Sequence, residues 1–127
     1  MTSKKTVLIV DDANLVRLYY RSILQPAGFE VREAMNGVEA LERLLEEPAD
    51  LLIVDINMPQ MDGLTFLKTL RQREYPSCAT PALVTSTEAG EQDFIAARTA
   101  GANFYFVKPI EGEMLVEVAS MMCGMPR

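Results

Sequence analysis

The chain contains no histidine and no tryptophan, and only two of its 127 residues are cysteine. Without histidine there is no His-based metal site, no Ser/His triad and no Cys/His nucleophilic pair. Cys78 and Cys123 lie far apart with no CxxC spacing, and no secretion signal precedes them. They read as reduced thiols of a cytoplasmic protein. No apolar run approaches the roughly 20 residues needed to span a bilayer. Met1–Thr6 is followed by only four aliphatics before two aspartates, so no signal peptide is expected. Basic residues are the minority, 12 against 18 acidic, for a net charge of −6. A surface of that sign repels phosphate backbones, so nucleic acid is not an expected partner. What is present is an ordinary globular composition, 49% hydrophobic and 24% charged, of single-domain length. The expectation is one domain over 1–127 with no output domain and a monomeric state. Any chemistry must use carboxylates, hydroxyls, lysine and a bound ion.

Apolar blocks alternate with helical patterns throughout. Val7–Val10, a short segment at Glu30–Glu33, Leu51–Val54, Pro81–Val84 and Phe104–Val107 read as strands. Helices are expected over Asn14–Gln25, Gly37–Glu46, Gly63–Gln72, Glu91–Ala100 and Glu111–Met122, with Asp62 capping the third. The expected inner face of the first helix is Leu15, Leu18, Tyr19, Ser22 and Ile23; that of the second is Val38, Leu41, Leu44 and Leu45. Five β-α units with continuously aliphatic strands imply an α/β doubly wound fold around a parallel sheet.

In such folds ligands bind beyond the carboxyl ends of the strands. There the sequence places Asp11 and Asp12 after the first strand, and Asp55 and Asn57 after the third. Thr85 and Ser86 follow the fourth, and Lys108 and Pro109 the fifth. The weak second strand contributes nothing comparable, so the site is expected on the other four. Two carboxylates about 4 Å apart repel by about 4 kcal/mol at an effective dielectric of 20. A cation is needed to offset that, and oxygen-only ligands suit Mg²⁺. Lys108 supplies a second positive charge aimed at an anion. The implied ligand is a phosphoryl group, with Asp55 as nucleophile. Taken singly, each residue has a plainer reading, Asp12 as a helix cap for instance; their joint placement carries the inference.

Asp11-Asp12, the segment Asp55-Ile-Asn-Met-Pro-Gln-Met-Asp-Gly63, Ser86 and Lys108-Pro109 together resemble a bacterial two-component response-regulator receiver domain of the CheY-like kind. The likeness spans about residues 5 to 123. It implies a flavodoxin-like (βα)5 fold with strand order 2-1-3-4-5. It also implies that Asp55 accepts a phosphoryl group from a sensor histidine kinase. Mg²⁺ would be held by Asp12, Asp55 and the carbonyl of Asn57, with Asp11 contributing mostly through water and Lys108 pairing with the phosphoryl oxygens or with Asp55. The same resemblance makes Ser86 the switch hydroxyl, counted back from Lys108 with Thr85 and Thr87 on either side. Tyr105 becomes the switch aromatic, and Lys108-Pro109 the place of a cis peptide.

Asn57 and Glu88 are the pair seen in chemotaxis members, where these positions set the dephosphorylation rate. The implied partner is a flagellar motor switch or, alternatively, a histidine phosphotransfer protein in a phosphorelay. The switching surface would include Ala89, Glu91, Tyr105 and Met114. Serine at the switch position and Thr87 beside it depart from the family's usual threonine and small residue. A Mg²⁺-dependent phosphohydrolase of the haloacid-dehalogenase type would need a second acid where Asn57 stands. A flavin carrier would need a phosphate loop where Asp11-Asp12 stands.

Overall fold

In the computed structural model, residues 4–125 are described. The order of elements is β1 (Thr6–Val10), α1 (Asn14–Leu24), β2 (Glu30–Ala34), α2 (Gly37–Glu46), β3 (Leu51–Asp55) and α3 (Gly63–Arg71). A 3-10 turn at Ser77–Ala79 precedes β4 (Ala82–Ser86), α4 (Glu91–Ala100), β5 (Phe104–Val107) and α5 (Gly112–Met122). The sheet is wholly parallel with order β2-β1-β3-β4-β5, the expected flavodoxin-like topology. No described helix is long and apolar enough to cross a membrane.

The central strands β1, β3 and β4 are buried along their whole length, as continuous aliphatic runs require when both sheet faces are covered. One core cluster joins Leu8, Val10, Leu52, Val54 and Val84 to α2, α3 and α4; the other joins Val7, Ile9, Leu51, Ile53 and Leu83 to α1 and α5. Because side chains alternate along a strand, Asp11 and Asp55 continue the α1/α5 face and Ser86 the opposite one. β5 is an edge strand, which leaves Phe104 and Val107 partly exposed.

Two helices are rolled differently from the expected faces. In α1, Leu15 is 77% exposed, and Leu18 and Tyr19 are also exposed, while Arg17, Tyr20 and Leu24 are buried. The helix carries a second apolar stripe, Val16, Tyr20, Ile23 and Leu24, at the same 3-4 spacing. Contacts of Arg17 with the Asp11 carbonyl just past β1 and with Glu33 of β2 favour the second stripe. In α2 the inner face is Gly37, Ala40, Leu41 and Leu44, leaving Val38 and Leu45 outside. Here Gly37 sets the roll, since a Cβ there would overlap Met61.

Other boundaries agree closely. Asp62 caps α3 by accepting from the Thr65 amide at 2.8 Å, and α4 ends at Gly101 with φ of +108°, a conformation that costs glycine little. The 3-10 turn at Ser77–Ala79 lies in the connection between α3 and β4. Thr85 and Ser86 lie inside β4 rather than after it.

Candidate functional site

Register explains how residues distant in sequence meet. Val10 lies opposite Val54, which sets Asp11 beside Asp55; Ser86 lies opposite Val107, so Lys108 emerges at the same edge. A tight turn follows β3, in which the Gly63 amide donates to the Ile56 carbonyl at 2.9 Å. A Cβ on Gly63 would collide with the Asp55 carbonyl oxygen, so only glycine lets α3 start this close under Asp55.

Carboxylate oxygens of Asp11, Asp12 and Asp55 all lie within 4.8 Å of one another. Lys108 Nζ stands 3.1 Å from Asp55 Oδ1 and 3.3 Å from Asp11 Oδ2. Asp11 and Asp55 are buried, at 1% and 6% exposure. Asp12 is exposed, and its carboxylate bonds to none of the described residues. It does not cap α1, whose N-cap is Ala13 with no side-chain hydrogen bond. One lysine therefore faces three acids.

The imbalance shows in the protonation equilibria. Burial first, and then the charges of Asp11 and Asp12, push the Asp55 carboxyl above its ordinary range despite the opposing pull of Lys108. Burial alone would lower the Lys108 ammonium, but Asp11 and Asp55 more than reverse this and hold it above the usual lysine value. Beneath them Tyr20 is buried, and desolvation, with Asp11 and Asp55 nearby, raises its phenol to about 12.

A hard divalent cation fits this set. The donors are all oxygen, two are fixed by burial, and one points to solvent without a partner. Asp11, Asp12 and Asp55 would hold it. Asn57 is exposed two residues beyond Asp55.

Ser86, Glu88 and Tyr105 form a second group. Ser86 is 1% exposed and its Oγ accepts from the Glu88 amide at 3.0 Å. The Tyr105 hydroxyl donates to the Glu88 carbonyl at 2.8 Å, and its ring meets Phe94 edge-on at 4.6 Å. Backbone at Glu88 thus links the buried hydroxyl to the aromatic at the sheet edge. Thr85, paired with Asp55 across the ladder, keeps a buried hydroxyl with no hydrogen bond of regular geometry to any of the described residues. Thr87 is exposed beside the site. The Lys108-Pro109 peptide is cis, and so is Tyr75-Pro76.

Sequence reasoning missed Arg17 and Glu33, which support the site from α1 and from the second strand. Arg17 donates to the Asp11 carbonyl and to Glu33. An arginine inside an otherwise apolar helix stripe was the available signal.

The fold and site together are a doubly wound parallel sheet with an acid triad and a lysine gathered at its carboxyl edge. The family model described as the response regulator receiver domain matches residues 7–120, and the chain belongs to that family. The chemotaxis protein CheY of Bacillus subtilis (strain 168) is 39% identical over 113 residues, spanning 87% of this chain and 91% of its own. The chemotaxis protein CheY1 of Helicobacter pylori is 38% identical over 121 residues, spanning 93% and 96%. Among solved structures, the Vibrio cholerae chemotaxis protein CheY4 matches with a TM-score of 0.87 at 33% identity, covering 94% of this chain and 99% of its own. Within the family the chain is CheY-like.

Proposed function

We propose that the protein is a cytoplasmic phospho-switch of a two-component system in which Asp55 accepts a phosphoryl group from a sensor histidine kinase. The observation that carries this reading is Asp55 itself, a buried carboxylate 3.1 Å from Lys108 and within 4.8 Å of two more acids. An Asp55 oxygen attacks phosphorus in line, the bond from phosphorus to the donor's imidazole nitrogen breaks, and the imidazole keeps the electron pair. Lys108 is placed to exchange its carboxylate partner for the new phosphoryl oxygens. Mg²⁺ on Asp11, Asp12, Asp55 and the Asn57 carbonyl supplies charge neutralisation when bound. Asn57 is an amide and cannot serve as the general acid or base that hydrolytic turnover by a phosphohydrolase of the haloacid-dehalogenase type requires.

Phosphorylation adds a dianion near Ser86. Its hydroxyl trades the Glu88 amide for a phosphoryl oxygen, and the Tyr105–Glu88 bond couples that movement to the α4–β5–α5 surface. Ala89, Glu91 and Met114 are exposed there. The output is binding to a protein target, and the likeness to chemotaxis proteins favours a flagellar motor switch over a phosphotransfer protein.

The test is intact-protein mass spectrometry after incubation with acetyl phosphate and Mg²⁺. A single phosphoryl adduct is expected on wild type, absent from Asp55→Asn and lost on chelation. Thr87→Ala is run alongside, because the threonine narrows access for the donor. No adduct on either folded protein overturns the phosphoacceptor role.

A further inference from the structure

Arg17 sits where α1 faces the sheet, only 8% exposed. Burying a guanidinium is costly unless its donors are matched. Its Nη1 donates to the Asp11 carbonyl at 2.6 Å, its Nε to Glu33 Oε1 at 2.8 Å and its Nη2 to Asn14 Oδ1 at 3.2 Å. The other Glu33 oxygen is taken by Arg21 at 2.7 Å. Glu33 is thereby held at both oxygens and sets the plane of Arg17. Burial would raise the Glu33 carboxyl, but the hydrogen bonds from Arg21 and Arg17 win and hold it below its ordinary range.

The carbonyl that Arg17 grips belongs to the peptide joining Asp11 to Asp12. Asp11 is held at three further points: its amide on the Ala34 carbonyl at 3.1 Å, Oδ1 on the Ala13 amide at 2.9 Å, and Oδ2 on Lys108. Asp12 has no such ties. Its carboxylate makes no bond among the described residues and is repelled by both neighbours. Only the backbone keeps it within 4.8 Å of them, and the plane of the Asp11–Asp12 peptide decides the direction in which Asp12 leaves the chain.

We infer that Arg17 is a positioning residue whose grip on the Asp11 carbonyl, braced by Glu33, holds Asp12 in the cation site and so sets Mg²⁺ affinity. This rests on the cation site of the proposed function. It also makes a prediction opposite in sign to simple electrostatics. A guanidinium behind the acid pair repels a cation, so removing its charge alone should tighten binding. Removing the grip should weaken it.

Isothermal titration of the intact protein with MgCl₂ separates the two. Arg17→Lys keeps the charge and loses the fork, and Arg17→Gln loses both. Each is expected to raise the Kd about tenfold or more, the usual scale for a residue supporting a metal ligand. Arg71→Ala, at the far end of the sheet, is the control for lost stability and should leave the Kd unchanged. If neither Arg17 variant folds, Glu33→Gln frees one edge of the guanidinium and should weaken binding by a smaller factor. An Arg17→Gln Kd equal to or tighter than wild type overturns the inference while leaving the cation site intact. A wild type that takes up no Mg²⁺ overturns both.

Discussion

The charge imbalance at the sheet edge makes a sign-changing prediction for Asp55→Asn. At an effective dielectric of 20, Asp11, no more than 4.8 Å away, repels Asp55 by about 3.5 kcal/mol, and the exposed, better screened Asp12 by about half as much. Lys108 at 3.1 Å returns about 5 kcal/mol on the same scale. These nearly cancel, so the desolvation of a carboxylate only 6% exposed decides the balance. The direction agrees with the raised Asp55 pKa. An asparagine still accepts a hydrogen bond from Lys108 and carries no ionic desolvation cost. In chelator the variant should be more stable than wild type by about 1–2 kcal/mol. With an unfolding entropy of about 0.27 kcal/mol/K for 127 residues, its Tm rises by about 4–7 °C. At one hundred times its Kd, Mg²⁺ stabilises wild type by about 2.7 kcal/mol, and a variant lacking one ligand gains much less. The order of stability then reverses. Calorimetric melts of both proteins, in chelator and in Mg²⁺, read all four values. A variant less stable than wild type in chelator would refute the reasoning, because the lysine would then already satisfy the acids without a cation.

Arg71 Nε, Nη1 and Nη2 donate to the carbonyls of Gly101, Cys78 and Thr80 and to Asn103 Oδ1, tying α3 to the entries of β4 and β5. Arg71→Ala should cost about 3 kcal/mol in urea unfolding, since hydrogen bonds to charged groups contribute about 1.5–3 kcal/mol each and are not additive; phosphorylation by acetyl phosphate should persist. Gly63→Ala forces a Cβ against the Asp55 carbonyl and should depress the phosphorylation rate at least tenfold, a typical cost of misplacing a reacting group; an unchanged rate in kinetic mass spectrometry would show that the turn can yield. Glu33 has a folded pKa below its unfolded value, so its stabilisation is complete above about pH 4.3 and is lost as pH falls through the folded pKa. Glu33→Gln should therefore be less stable at neutral pH and show a shallower loss in acid, followed by Tm from pH 7 to pH 2.

Much of this protein is determined by local chemistry. Runs such as Val7–Val10 and Leu51–Val54 have no polar face to offer solvent, so they are strands buried on both sides. Helices separating such strands require parallel pairing, and parallel pairing gathers every strand's carboxyl end at one edge. That is why Asp11, Asp12, Asp55 and Lys108 could be grouped from their positions alone. Asp62 was legible for the same reason, because a cap depends on a few neighbouring residues. Tertiary structure decided the roll of the helices. Two apolar stripes in α1 satisfy the same periodicity, and Arg17 meeting Asp11 and Glu33 favours one of them, as Gly37 meeting Met61 does in α2. Those partners lie on other elements, and periodicity within one helix carries no information about them. Support of the acid pair from β2 was hidden for the same reason: a glutamate on an edge strand is unremarked until a buried arginine from a neighbouring helix requires it.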